Sequence, residues 1–114
     1  MIPKQELRLG NKVMHDNRLF EVSILSDEYP FLNTAEFGVG VVDYNNIYPI
    51  PLTEDWLIRF GFIQISALEF RNKKRLIMKR GNDYYDYGTD VHIEYVHQLQ
   101  NFYYALTQTE LTTK

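Results

Sequence analysis

The sequence predicts an α+β fold: one antiparallel, strand-rich domain over residues 1–114, with a short helix near its middle and a longer C-terminal helix. Three observations carry this reading. Apolar residues alternate with polar ones over several short runs bounded by turn-forming residues, the period-2 mark of half-buried strands. Near the end of the chain apolar residues recur at helical spacing instead. Nine Tyr, seven Phe and one Trp, each able to bury about 150–250 Å², give a short chain enough material for a core.

Residues 1–52 are expected to form a strongly bent, SH3-like β meander. Leu9 to His15 reads as a turn leading into a strand, and Asp16-Asn17 as a hairpin turn. In the run that follows, Phe20, Val22 and Ile24 alternate with Glu21 and Ser23. Ser26 to Asn33 reads as loop, and Glu36 to Asp43 as a strand with Phe37, Val39 and Val41 on one face. The glycines Gly38 and Gly40 suggest a bulge or bend there. Asp43 to Asn46 is a turn, and Ile47 to Pro51 an extended stretch whose prolines suit a sheet edge.

Residues 53–61 carry the signs of a short helix. Thr53 can cap the free N–H groups of a first turn, and Glu54 and Asp55 complement its positive end. Leu52 and Leu57 occupy hydrophobic-staple positions, and Gly61 suits a left-handed stop. Trp56, Leu57 and Phe60 form the expected buried side. Residues 62–93 read as β hairpins, with Phe62 to Ser66 and Leu68 to Phe70 as strands and Arg71 to Lys74 as a charged turn. Arg75 to Arg80 and Tyr84 to Tyr87 then pair around Gly81 to Asp83. In the helix expected over 94–107, Tyr95, Val96, Leu99, Phe102, Tyr103 and Leu106 make an apolar stripe. His97, Gln100, Asn101 and Tyr104 lie on the other side.

The chain has 114 residues, is 45% hydrophobic and carries a net charge of −3, which suits one globular domain. No run approaches the roughly 18 apolar residues of a membrane span, and the start lacks the apolar core of a secretory leader. No cysteine is present, so disulfides, thiol nucleophiles and cysteine zinc sites are excluded. A cytoplasmic location is the expectation. Charge is uneven: six basic residues and no acidic one fall between Arg71 and Arg80, against fifteen acidic residues elsewhere.

Motifs for catalysis are missing. His92 and His97 are five apart, not at the i, i+4 spacing of a helical zinc pair. Asp83, Asp86 and Asp90 lack calcium-loop spacing. Gly38-Val39-Gly40 lacks the remainder of a dinucleotide fingerprint, and none of the three serines sits in a nucleophile elbow. No metal, no cofactor and no enzymatic activity are expected.

Two constellations point to binding. Arg71, Lys73, Lys74, Arg75, Lys79 and Arg80 with Tyr84 and Tyr85 combine cations for phosphates with aromatics for bases, as single-stranded nucleic-acid binding requires. Acidic residues beside those tyrosines, and the acidic chain as a whole, oppose it. On the last helix, His97, Gln100, Asn101 and Tyr104 offer uncharged hydrogen-bonding groups around a tyrosine. A solvated face more often carries Lys and Glu, so this one is expected to touch a partner or another part of the same chain.

Three segments carry a resemblance: Glu6 to Val13 (ELRLGNKV), Ile50 to Phe62 (IPLTEDWLIRFGF) and Tyr95 to Thr107 (YVHQLQNFYYALT). In order and approximate spacing they resemble a family of small uncharacterised proteins of Bacteroides-type gut bacteria, their phages and mobile elements. One departure is Gln108, where the family pattern has Gly after the helix. The resemblance implies a setting, a phage or mobile-element accessory protein, and no mechanism. The expected function is accordingly non-catalytic binding of a host or phage macromolecule, in a sharper form inhibition of a bacterial defence protein. A single-stranded nucleic-acid binder using 71–80 is one alternative; another is a small-molecule or nucleotide binder, which could be a homo-oligomer, with a tyrosine-lined pocket.

Overall fold

The structure is a computed structural model that describes residues 2, 6–24, 31–34, 38–41 and 46–113, with the backbone alone at 24, 31–34 and 38–41. Two antiparallel meanders follow one another along the chain. The first holds β1 (Lys12–His15), β2 (Arg18–Ile24), β3 (Phe31–Thr34) and β4 (Gly38–Val41), in that spatial order. The second holds β5 (Ile63–Ser66), β6 (Glu69–Asn72), β7 (Arg75–Arg80), β8 (Asp83–Asp86) and β9 (His92–Ile93). Helix α1 (Glu54–Arg59) joins the two, and α2 (Val96–Thr107) closes the chain. The α+β, strand-rich fold expected from the periodicity is therefore present.

Local chemistry accounts for most boundaries. Asp16 and Asn17 both take positive φ (50° and 60°), the conformation that a two-residue hairpin turn demands and that these residue types tolerate. Thr53 accepts the Trp56 backbone N–H at 3.3 Å, and Gly61 sits at φ +90° immediately after α1. Gln98 closes the start of α2, its Oε1 accepting the backbone N–H groups of Glu94 and Tyr95 at 3.0 and 3.1 Å. At the other end Gln108 takes the left-handed conformation, φ 58°, that glycine would adopt without strain; a side chain there costs about 1 kcal/mol.

Several expected elements change. Leu32 and Asn33 lie in β3 rather than in a loop, paired with Val22 and Glu21; residues 25–30 lie outside the described residues. The bulge falls in β2, at Val22/Ile24, rather than at the glycines. Gly38 and Gly40 pair in register with Thr34 and Leu32, whereas Phe37 and the turn at 42–45 lie outside the described residues. Arg71 and Asn72 belong to β6, opposite Leu76 and Arg75, so the turn shrinks to Lys73 and Lys74.

Two apolar clusters result. The larger gathers Leu52, Leu57, Phe60, Phe62, Phe70, Ile77, Tyr84, Ile93, Val96, Leu99 and Tyr103, burying both helices against one face of the second sheet. The smaller holds Ile2, Leu7, Val13, Val22 and Ile47. Trp56 is only part-buried against the first cluster, and Leu106 at the end of the expected stripe is exposed. Among the described residues no helix is long and apolar enough to cross a membrane.

Candidate functional site

Between the two clusters runs a polar seam, and the far side of α2 builds it. Among the described residues, three of the four buried polar ones, Asn11, His97 and Gln100, lie in it. The Gln100 amide reads the backbone before β1: its Oε1 accepts the Lys12 N–H at 2.8 Å and its Nε2 donates to the Gly10 carbonyl at 2.9 Å. One side chain thus stands in for a neighbouring strand. Asn101 donates to the Glu6 carbonyl at 2.6 Å, and its Oδ1 accepts from Asn11 Nδ2 at 2.8 Å and Arg8 Nη1 at 2.9 Å. His97 meets the Glu6 carboxylate through Nε2 at 3.0 Å; since a carboxylate only accepts, Nε2 carries the proton. Its Nδ1 is buried with no hydrogen-bond partner. The Arg8 guanidinium lies 4.3 Å from the Tyr104 ring centroid and also binds Glu110.

Of the two destinations expected for the face His97, Gln100, Asn101 and Tyr104, the structure gives the second. The chain's own segment 6–12 occupies it: His97, Gln100 and Asn101 all hydrogen-bond to that segment, and Tyr104 packs against Arg8. The physical reason is that backbone groups at the start of β1 need partners in a buried place, and uncharged amides satisfy them at the least desolvation cost.

The basic constellation is dispersed. Arg75 donates to both oxygens of the buried Asp86 at 2.8 Å, and Thr89 adds its N–H at 2.9 Å and its hydroxyl at 2.8 Å. Lys79 binds Glu54 at 2.9 Å, which holds the lysine above its ordinary pKa of 10.5. Arg80 pairs with Asp90 at 3.1 Å and lies 4.8 Å from the Tyr85 ring centroid. Lys73 and Lys74 line a cleft with Thr107 and Thr109 at the C-terminal end of α2. That helix has no basic residue in its own last turn, so both lysines complement its negative pole. Arg71 is exposed on the other face of the sheet. Tyr84 is buried in the core, 5% exposed, and burial raises its pKa above the usual 10.0. Tyr85 is half-buried and stacks on His92 at 4.9 Å. Alternation along β7 sends Arg75 and Lys79 to one face and Arg80 to the other.

Two features were not read from the sequence. One is the outer face of the second sheet. Register places Leu76 beside Arg71, Met78 between Glu69 and Tyr85, and His92 beyond Tyr85. None of these is buried. The available signal is Leu76-Ile77-Met78, a strand apolar on both faces. The other is the coordination of Asp86, one of three acids that sequence spacing leaves as turn residues.

The clefts offer little free chemistry. One of about 450 Å³ is open to solvent and lined by Glu6, Arg8, Val91, Ile93, Gln98 and Phe102 among others, but Glu6, Arg8 and Gln98 are already engaged as described. Tyr84 and Tyr95 line another of about 300 Å³. Among the described residues no three His, Asp or Glu side chains stand close enough to hold a metal ion; His92 faces outward while His97 lies in the seam. Comparison with protein-family models, curated proteins and solved structures found no match.

Proposed function

We propose that this chain is a non-catalytic binding module, an accessory protein of a bacterial phage or mobile element acting in the cytoplasm, that captures a protein partner on the outer face of its second sheet. The observation that carries this reading is the make-up of that face. Leu76, Met78 and Tyr85 form an apolar centre, rimmed by Glu69, Arg71, Arg80, Asp83 and His92. An apolar centre with an aromatic and a methionine inside a polar rim is the anatomy of a protein interface. The setting comes from the three resembling segments. Their packing into one unit through Gln100, Asn101 and the Leu52–Leu57–Leu99 core leaves the outer face as the surface free to specialise. In that setting the partner would be a host or phage protein, a defence protein among the candidates.

The nucleic-acid reading loses support because Arg75, Lys79 and Arg80 are neutralised by carboxylates and Tyr84 is unavailable for stacking. A photo-crosslinking residue in place of Met78, compared with one in place of Tyr48 on the first meander, separates the readings. The expected result is one defined protein adduct at position 78, insensitive to nuclease, and none at 48. Nuclease-sensitive adducts, or equal labelling at both positions, would overturn the proposal.

A further inference from the structure

We infer that residues 109–112 are a displaceable strap lying in a peptide-binding groove, and that the groove takes from a partner an extended acidic segment with a leucine anchor. Beyond α2 the chain continues through residues 108–113 without regular structure. Gln108 turns it at φ 58°, and Leu111, 6% exposed, re-enters the larger apolar cluster. Glu110 binds Arg8. These two side chains hold the strap. Among the described residues its backbone is hydrogen-bonded only locally, the Thr107 hydroxyl accepting the Thr109 N–H at 3.2 Å and lying 3.3 Å from the Thr109 carbonyl. The extended stretch 47–52 is held differently. Tyr48 exchanges both backbone hydrogen bonds with Met14 at 2.9 Å, Leu52 N–H donates to the Glu94 carbonyl at 3.0 Å, and Val96 N–H donates to the Ile50 carbonyl at 2.8 Å. Displacing that stretch strands backbone groups of its neighbours, whereas displacing the strap strands none.

The strap does not fill its groove. Two clefts adjoin at Thr109: one of about 330 Å³ reaches Phe60, Gly61 and Asn72, the other of about 280 Å³ reaches Lys74 and Thr107, and both share Lys73 and Tyr103. Phe60 and Tyr103, both buried, give the groove an apolar floor beside Leu111. The charge of the occupant follows from the lysines. Lys73 and Lys74 are exposed and, among the described residues, neither pairs with a carboxylate. Yet the strap residue beside Lys73 in both clefts is the uncharged Thr109. The resident segment thus matches the groove with its leucine and matches Arg8 through Glu110, but leaves the lysines unanswered. An extended segment with a carboxylate at the Thr109 position keeps the leucine seat and adds those pairs. It competes with a tethered occupant, whose effective concentration is on the order of millimolar, and the added pairs are its advantage. The groove lies on the helix side of the second sheet, so the inference does not rest on the partner proposed for the outer face.

Two synthetic peptides of residues 107–113, one of native sequence and one carrying Thr109→Glu, test this by NMR against the full, isotope-labelled chain. In the unmodified protein the Thr109→Glu peptide at millimolar concentration should shift the Gly61, Asn72 and Lys73 amides. It should also set residues 110–112 free, their order parameters falling below about 0.6, a readout independent of any variant's folding. The native peptide should bind about fivefold more weakly. That gap should close in about 0.5 M salt, or in a chain carrying Lys73→Ala and Lys74→Ala. A Leu111→Ser chain, its strap released, should take both peptides about tenfold more tightly than the unmodified one. Shifts without release of 110–112, peptides of equal affinity, or no binding at all would overturn the inference. So would a short single-stranded oligonucleotide that frees the strap as the peptide does. Concentration-dependent shifts of the same amides in the chain alone would also overturn it, by making a second copy the occupant.

Discussion

Two polar constellations meet opposite fates in this molecule. The uncharged face of α2 is drawn inside, where Gln100 and Asn101 bind backbone groups of residues 6–12. The charged strands around 71–90 stay near the surface, and their cations divide among separate carboxylates and a helix end. The difference is one of desolvation. An amide offers a donor and an acceptor together and can be buried once both are used. A cation is buried only beside an anion, and even then its net worth is small.

The one place where the charged group breaks this pattern gives the largest expected effect. Asp86 is fully buried and takes four hydrogen bonds from Arg75 and Thr89. Asp86→Ala should cost about 3 kcal/mol in urea unfolding, because Arg75 and the 87–89 turn lose their shared acceptor. A cost near zero would place Asp86 with the weak surface pairs. Next, Gln100→Ala strands the Lys12 N–H and the Gly10 carbonyl and should cost about 2 kcal/mol. Its signature should be local, with faster amide exchange at Lys12 than in the second sheet. Uniform loss of protection would mean that the seam is not a separate unit.

The smallest effect is alkaline. Lys79, through its hydrogen bond to Glu54, and Tyr84, through burial, both hold their protons more tightly in the folded chain. A raised folded pKa contributes stability that is complete below the unfolded value and is lost as pH rises through the folded one. Denaturation midpoints should therefore be level up to about pH 9 and fall above about pH 10. Tyr84→Phe should flatten part of that fall. An unchanged slope in the variant would assign the whole loss to other groups.

Much of this fold is legible in the residues themselves. Thr53, Glu54, Asp55 and Gly61 mark α1 through local capping chemistry, and the stripe Val96, Leu99, Tyr103 marks the core side of α2. The pair Asp16-Asn17 marks its hairpin by backbone preference alone. The lack of Lys or Arg on α2 also signals that its polar face is covered. Less legible were the ends of β6 and the presence of β3, since Arg71, Asn72, Leu32 and Asn33 gain strand character from partners distant in the chain. Nothing local tells whether Gln100 faces a partner protein or Gly10, ninety residues earlier.

Sequence by itself thus determined the fold class, the helices and most turns, because capping, φ preference and apolar period act within a few residues. Only the tertiary structure decided which polar groups remain available. That depends on which backbone donors and acceptors the packed strands leave unpaired, a question settled when β1 meets α2.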